Sequence, residues 1–261
     1  MIAIMLGSAR RLAIIDILEQ RGFVTVDELA REFSVSRETI RRDFRALRRQ
    51  GLLEKVYGGA TISARTAKEY TFADRETRRL PEKQAIAEAA LQFIQLGDTV
   101  MMDASSTVLQ LSKVIPEDME ISVITNALPV IEELASRPNV AITSTGGSLR
   151  RTSYSFVGPA AESNLAKLRA NKAFISAKGV SIQHGLTEAN PYEGRIKELM
   201  VNNASEVILL VDSSKLDRLA LVQFAPIERA NVVITDKAAP AEVVSKLQES
   251  GVRVIVAGSC S

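Results

Sequence analysis

Apolar residues recur at helical spacing near the start of the chain. In "RRLAIIDILEQRG", Leu12, Ile15 and Leu18 share one face and the pattern stops at Gly22, a residue suited to the left-handed position after a helix. In "VTVDELAREF", Thr25 is followed three residues later by Glu28, a capping box, with Val24 and Leu29 placed as a hydrophobic staple. This predicts a short helix from Val26 to Phe33. In "SRETIRRDFRAL", at ~100° per residue, Ile40, Phe44 and Leu47 fall in one stripe and Arg37, Arg41, Arg42, Arg45, Arg48 and Arg49 spread over the opposite side. Ser36 is placed to cap that helix. "GLLEKVYGGA" then alternates and meets Gly58 and Gly59, as a small β-hairpin does. The order is helix, helix, tight turn, helix, hairpin, which reads as a winged helix-turn-helix over residues 8–60.

The pattern changes after the hairpin. Residues 61–80 are polar and irregular and read as a linker with one short helix. "PEKQAIAEAALQFIQLGD" follows as an amphipathic helix, with Pro81 in its first turn, Ile86, Ala89, Ala90, Phe93 and Ile94 on one side, and Gly97 at its end. Compact apolar strands then alternate with helices: "TVMMD", "ISVIT", "VAITS", "KAFISA", "EVILLVD", "NVVITD" and "RVIVAG". Several are apolar at consecutive positions, as expected when helices cover both faces of a parallel sheet. The fold class expected is therefore α/β for residues 81–258, behind an N-terminal winged helix-turn-helix.

Charge gives the first helices a purpose. The chain of 261 residues has a formal net charge of only +2, yet from Ser36 to Lys55 seven basic residues face three acidic ones. Such a run is either a solvated face or a nucleic-acid surface. The preceding helix and tight turn favour the second, because a helix-turn-helix puts the start of its last helix in the DNA major groove. On that reading Arg37, Thr39 and Arg41, beginning at the Ser36 cap, lie nearest the bases. Arg42, Arg45, Lys55 and Tyr57 serve phosphates, and Asp43 positions an arginine.

Composition excludes other classes. With 46% apolar and 25% charged residues the chain reads as an ordinary globular protein, long enough for one large or two unequal domains. "MIAIMLGSA" is too short for a membrane span and lacks a basic region ahead of it, so a cytoplasmic protein is expected, starting at Met1 or Met5. One cysteine, Cys260, and one histidine, His184, exclude an intrachain disulfide and argue against a zinc site, so neither metal nor cofactor is expected. His184 lies in "SIQHGLTE" as either a solvent-facing or a ligand-contacting residue.

In open parallel sheets, ligands gather beyond the carboxyl ends of the strands. There Asp103 ends one strand, and Ser105, Ser106 and Thr107 open the next helix, where free N–H groups favour an anion such as phosphate, or where serine simply caps. Thr125 with Asn126, Gly146 with Gly147, and Asp212 with Lys215 follow other strands. Asp103, Glu188, Glu193, Lys178 and Lys197 are also the residue types that sugar-phosphate isomerisation needs. The spacing of Glu193 and Lys197 is equally that of an i,i+4 helix pair.

"S-x-x-T-I-R-R-D-F" followed by "GLLEKVYGGA" closely resembles the DeoR family of bacterial transcriptional regulators, in which the arginine helix is the recognition helix. The resemblance extends from about Ser8 to Asp236. It covers Asp103 to Thr107, Thr125-Asn126, Gly146-Gly147, Gly185-Leu186-Thr187, Lys197 and "DSSK", Asp212 to Lys215. It implies a repressor, usually of a carbohydrate operon, relieved by a phosphorylated sugar bound to a domain related in fold to ribose-phosphate isomerase. Asp103, Ser105, Ser106, Thr107, Thr125, Asn126, Gly146, Gly147, Lys197 and Lys215 are the effector residues so implied. The expected partners are double-stranded operator DNA, that effector and further copies of the chain in a dimer or tetramer, and no membrane. The alternative is a sugar-phosphate isomerase-like enzyme with an accessory nucleic-acid domain. The sequence departs from the family's strings where glycine is common, at Ala104 or Ser105, and at Leu216-Asp217, where Phe-Gly is common.

Overall fold

The computed structural model describes residues 10–11, 13–14, 17–18, 23–49, 53–56, 59–62 and 71–258. The chain divides into two compact units, Met1–Glu69 and Tyr70–Ser261.

In the first unit the described residues between 10 and 18 are helical, and Ile14 and Leu18 are buried. Leu12, Ile15 and Gly22 lie outside the described residues. Strand β1 (Phe23–Thr25) runs straight into α1 (Val26–Glu32) through the expected capping box. Glu28 N–H donates to Thr25 Oγ1 at 3.1 Å, and Thr25 N–H donates to Glu28 Oε2 at 2.8 Å. Val24 and Leu29, the expected staple, are both fully buried. Helix α2 (Arg37–Arg49) starts after Ser36, whose Oγ accepts from Thr39 N–H at 3.1 Å, and buries Ile40, Asp43, Phe44 and Leu47. Strands β2 (Leu53–Val56) and β3 (Gly59–Ile62) pair antiparallel with Val56 opposite Gly59. β1 joins the free edge of β3 in a three-stranded sheet, a strand too short for its own periodicity to reveal. Gly59 is needed there because a Cβ would collide with the Val24 carbonyl.

The second unit is built on a seven-stranded parallel sheet. Its strands are β4 (Thr99–Met102), β5 (Ile121–Thr125), β6 (Val140–Ser144), β9 (Ala170–Ile175), β12 (Ala204–Leu210), β14 (Val232–Asp236) and β15 (Arg253–Ala257). These are the seven apolar runs of the sequence. Consecutive residues serve opposite layers. Met101, Ala173, Ile175, Val207 and Leu209 pack with α7 (Pro159–Leu165), α8 (Pro191–Asn203) and α9 (Ala241–Glu249). Val100, Met102, Phe174, Ile208 and Leu210 pack with α4 (Leu80–Leu91), α5 (Ser106–Val114) and α6 (Leu128–Leu134). Burial of both faces is what makes the strands read as continuous apolar runs.

The strand order is β15-β14-β12-β9-β4-β5-β6. From β4 the chain winds outward through β5 and β6, and from β9 it winds the other way through β12, β14 and β15. The switch point therefore falls between β4 and β9, and the loops leaving these neighbours diverge to open a crevice.

Two details differ from expectation. Helix α4 ends at Leu91 rather than at Gly97, because Phe93 and Ile94 N–H turn to Ala90 and Leu91 carbonyls in tighter turns, and Ala87 joins its buried face. Residues 61–80 are not one linker: Thr61 and Ile62 belong to β3, 63–70 lie outside the described residues, and Phe72–Thr77 form α3 in the second unit. The antiparallel pieces β7 (Ser148–Arg150) with β8 (Ser155–Val157), and β10 (Gly179–Ser181), β11 (Gly185–Glu188) and β13 (Val222–Ala225), were not read from the sequence. Each holds only three or four residues, too few for a clear alternation.

Candidate functional site

The first unit presents one basic face. Arg42, Arg45, Arg48 and Arg49 line a single groove on α2. Arg45 pairs with Glu38, and Arg41 Nη1 stands 3.8 Å from the same carboxylate. Arg37 Nε is 2.8 Å from Asp27 Oδ1, with both side chains largely exposed. Among the described residues Arg42, Arg48 and Arg49 have no ion-pair partner. Asp43 is turned inward, 2% exposed, with Arg10 Nε at 2.7 Å and Arg11 Nη1 at 3.5 Å. A carboxylate withdrawn to brace the first helix leaves the outer face cationic. Ser36 and Thr39 hydroxyls lie 2.9 Å apart at the start of α2. The side chain of Lys55, and Tyr57, lie outside the described residues.

In the second unit the switch point collects charged side chains from separate loops. Asp103, just after β4, accepts from Ser105 N–H at 3.2 Å and from Ser176 N–H, beyond β9, at 3.0 Å. It thus ties the two diverging loops together. Lys197, on α8, lies 3.1 Å from Asp103 Oδ2 and 2.6 Å from Glu188 Oε2, and donates to the Ser176 carbonyl at 2.8 Å. Its three protons are therefore used. Burial alone would depress the Lys197 amine, but Glu188 and Asp103 hold it above its ordinary value. Burial alone would likewise raise Glu188, yet Lys197 and then Lys178 bring it down to about 2. The expected Glu193–Lys197 helix pair is replaced by these cross-element contacts. Glu193 accepts from Ser153 at 2.6 Å and from Ser155, with Arg150 Nη1 at 3.9 Å.

The serines divide by role. Ser105 Oγ accepts from Val108 N–H at 3.1 Å and caps α5. Ser106 and Thr107 are buried at the head of α5, where helix geometry leaves their N–H groups without helical acceptors. Thr125 Oγ1 donates to the Met102 carbonyl at 2.7 Å and accepts from Ala127 N–H at 3.0 Å, so it braces β4 to β5. Asn126 donates to the Phe156 carbonyl at 3.2 Å, while its buried Oδ1 has no donor among the described residues. Gly146 and Gly147 make the turn between β6 and β7 with φ of 61° and 109°, where side chains are strained.

The cations are in excess. Lys178 follows β9 and Lys215 follows β12 in the turn Ser213–Lys215, while Arg75 comes from α3, Arg78 from the residue just after it and Lys83 from α4. Asp212 answers part of this charge. Lys215, a hydrogen bond from Ser214 and Arg79, whose Nε is 3.7 Å away, overcome burial and hold it below its ordinary value. At the other cations burial outweighs the nearby carboxylates. Desolvation first, then Arg75, pushes Lys178 down to about 7 against the pull of Glu188. Desolvation brings Lys83 to about 8 and Arg78 to about 10, with Asp212 opposing in both and neighbouring cations adding to the fall. Lys178 Nζ has no hydrogen bond or ion pair among the described residues, and Arg75 Nε is fully buried without an acceptor. Like charges are thereby held close together beside the sheet, where burial disfavours each charged form.

Arg75, Arg78 and Lys83 were missed in the sequence because they precede the first strand. One signal was present: Lys83 falls on the same helical face as Ile86, Ala87 and Ala90, a basic residue in a buried stripe. His184 is exposed in the β10–β11 turn, and Cys260 lies outside the described residues. The described residues hold no His, Cys, Asp and Glu cluster of metal-binding kind, and no helix among them is long and apolar enough to cross a membrane.

The departures at Ser105 and Asp217 have backbone readings. Ser105 has φ of −102°, which needs no glycine, whereas Asp217 takes φ of 53°, the left-handed region that glycine occupies freely.

Two family models match the chain: a DeoR-like helix-turn-helix domain over residues 10–66 and a DeoR C terminal sensor domain over 78–237. An uncharacterized HTH-type transcriptional regulator of Bacillus subtilis, YulB, is 35% identical over 96% of this chain and 96% of its own. The HTH-type transcriptional regulator GlpR of Haloferax volcanii is 34% identical over 96% and 98%. The lactose phosphotransferase system repressor of Lactococcus lactis is 35% identical over 88% and 92%. Among solved structures, ribose 5-phosphate isomerase A of Methanocaldococcus jannaschii aligns over 51% of this chain and 53% of its own, at 16% identity and a TM-score of 0.38.

Proposed function

This chain belongs to the DeoR family of helix-turn-helix transcriptional regulators, and from that premise we propose that it represses a carbohydrate catabolic operon under control of a phosphorylated sugar. The protein is a regulator, not an enzyme: its partners are operator DNA and a small effector.

On the DNA side, α2 enters the major groove. Arg37, Thr39 and Arg41 read bases from its beginning, and Arg42, Arg45 and Lys55 hold phosphates, with Arg48 and Arg49 extending the same basic face. The exposed Arg37–Asp27 and Arg45–Glu38 pairs are worth little in solvent and exchange for DNA contacts at small cost. A dimer or tetramer places two such helices on successive turns of the duplex. The cytoplasm, where the operator is, is its place of action.

On the effector side, one observation carries the reading: Arg75, Lys83 and Lys178 are gathered beside the sheet, with Lys83 donating to the Arg75 carbonyl, the Arg75 Nε buried without an acceptor, and burial outweighing Asp212 at Lys83 and Glu188 at Lys178. A phosphate dianion neutralises them, and the free N–H groups of Ser106 and Thr107 and the amine of Lys215 complete its coordination. The acceptor Asn126 Oδ1 is left for a sugar hydroxyl. Glu188, Lys197 and Asp103 are saturated by one another, so the carboxylates fix the pocket's shape and hold no proton-transfer base ready. Thermal unfolding across a panel of sugars and their phosphate esters tests this. Ligand at 100 times its dissociation constant adds about 2.7 kcal/mol to the folded state. The phosphorylated member of a pair stabilises and the parent sugar does not; stabilisation by both equally would contradict the reading.

A further inference from the structure

The first helix of the second unit, α3 (Phe72–Thr77), supplies Arg75 to the cation cluster. It is also the element nearest in sequence to the DNA-binding unit, eight residues, 63–70, separating it and Thr71 from the end of β3. Its own attachment is slight. Phe72 is buried, packs edge-on to Tyr154 with ring centroids 6.1 Å apart, and its N–H donates to the Thr152 carbonyl at 2.8 Å. Glu76 pairs with Lys113 at 3.1 Å, an exposed contact of little strength. Lys83 donates to the Arg75 carbonyl, which ties the end of the helix to α4.

Against these contacts stand two features that loosen α3. Arg75 is held near Lys178 and Lys83 with its Nε buried and without an acceptor. Its guanidinium lies over the Phe72 ring, 5.3 Å from the centroid, and makes no carboxylate pair among the described residues. The junction to α4 passes through Arg79, whose φ of 49° and ψ of 41° are costly for any residue but glycine. A short helix carrying an unanswered charge, on a strained joint, is held more firmly once an anion lies between it and the sheet.

Resting on the effector reading above, we propose that Arg75 couples effector to DNA: it grips the effector's phosphate from α3, so that occupancy fixes the helix that leads into the DNA-binding unit. Arg75 is then a positioning residue for the regulatory response as well as a ligand contact. A bound effector changes operator affinity only through a contact that differs between the two states, and Arg75 is that contact.

The experiment uses the full-length protein and labelled DNA from upstream of its own reading frame. The probes are inorganic phosphate, glucose 6-phosphate, fructose 6-phosphate, fructose 1-phosphate and glycerol 3-phosphate. Probe affinity without DNA and operator affinity with and without saturating probe are measured for wild type, Arg75→Ala, Arg75→Lys and the control Arg151→Ala. Wild type and the control shift operator affinity by roughly tenfold or more with at least one probe. Arg75→Ala binds DNA as wild type does, binds that probe roughly tenfold more weakly, and at saturation shows less than about a twofold response. Arg75→Lys restores part of the response. An Arg75→Ala protein that responds in full at saturation overturns the coupling role while leaving the effector pocket standing. No response of wild type to any phosphate probe overturns both. Should the alanine variant fail to fold, hydrogen exchange on wild type decides: phosphate slows exchange at amides 72–77, and unchanged rates there overturn the proposal.

Discussion

Lys197 Nζ stands 2.6 Å from Glu188 Oε2, and the same amine is 3.1 Å from Asp103 Oδ2, one buried cation shared by two buried carboxylates drawn from different strand exits. Removing it leaves two uncompensated charges. Lys197→Met is expected to lose about 3 to 5 kcal/mol of stability, read from urea unfolding. In the double variant with Glu188→Gln the loss is smaller than the sum of the two single losses, because the residues act as a unit. Additive losses would contradict the network.

The same pair sets an acid limit. Glu188 is held at about 2, below its ordinary 4.5, so its contribution is complete above pH 4.5 and disappears as pH falls toward 2. Glu188→Gln is therefore less stable than wild type by on the order of 3 kcal/mol at pH 7, and the difference shrinks between pH 4.5 and 2. Denaturant titrations at several pH values check this; a difference independent of pH would not fit.

Anion binding carries the opposite sign. With Lys178 at about 7 and Lys83 at about 8, the cationic forms that attract phosphate are lost as pH rises through these values. Affinity for the phosphorylated probe is expected to fall from pH 7 to pH 9. In Lys178→Met both the affinity and the part of its pH dependence near 7 are lost. Calorimetric titration at three pH values measures it.

The arginines of α2 should separate into readers and holders. Arg37→Ala costs about 1 to 3 kcal/mol at one base position and relaxes specificity there. Arg48→Ala weakens operator and random DNA alike and reduces the slope of log K against log salt by about one. Anisotropy titrations over a range of salt distinguish the two, and equal losses on both DNAs for Arg37→Ala would refute its assignment.

Gly147 tests the turn rather than the pocket. A Cβ there would meet the Val157 carbonyl at 2.7 Å on a backbone with φ of 109°. Gly147→Ala is expected to cost about 1 to 3 kcal/mol, seen as a lowered unfolding midpoint.

Much of this architecture is legible because the physics that forms it is local. Thr25 with Glu28, and Ser36 with Thr39, announce helix starts through contacts three residues apart, and the seven core strands announce themselves through apolar runs with both faces buried. The site is less legible. Asp103, Lys178, Glu188 and Lys197 were recognisable as chemical types, but their meeting depends on the exchange of direction between β4 and β9, which no local pattern encodes. Arg75 was harder still, lying in a polar stretch that reads as connection and is brought to the sheet only by the burial of Phe72 beside Tyr154. The i,i+4 spacing of Glu193 and Lys197 misled for the same reason: each side chain found stronger partners on other elements.

The central claim is that an anion at the switch point changes the protein's affinity for DNA. The most direct measurement is the dissociation constant for its own upstream DNA, at fixed ionic strength, with each sugar phosphate and with its unphosphorylated parent. The account predicts a shift of roughly tenfold or more with one phosphate ester and none with its parent sugar. Operator binding that ignores every phosphorylated sugar, or that responds equally to the parent, would contradict it.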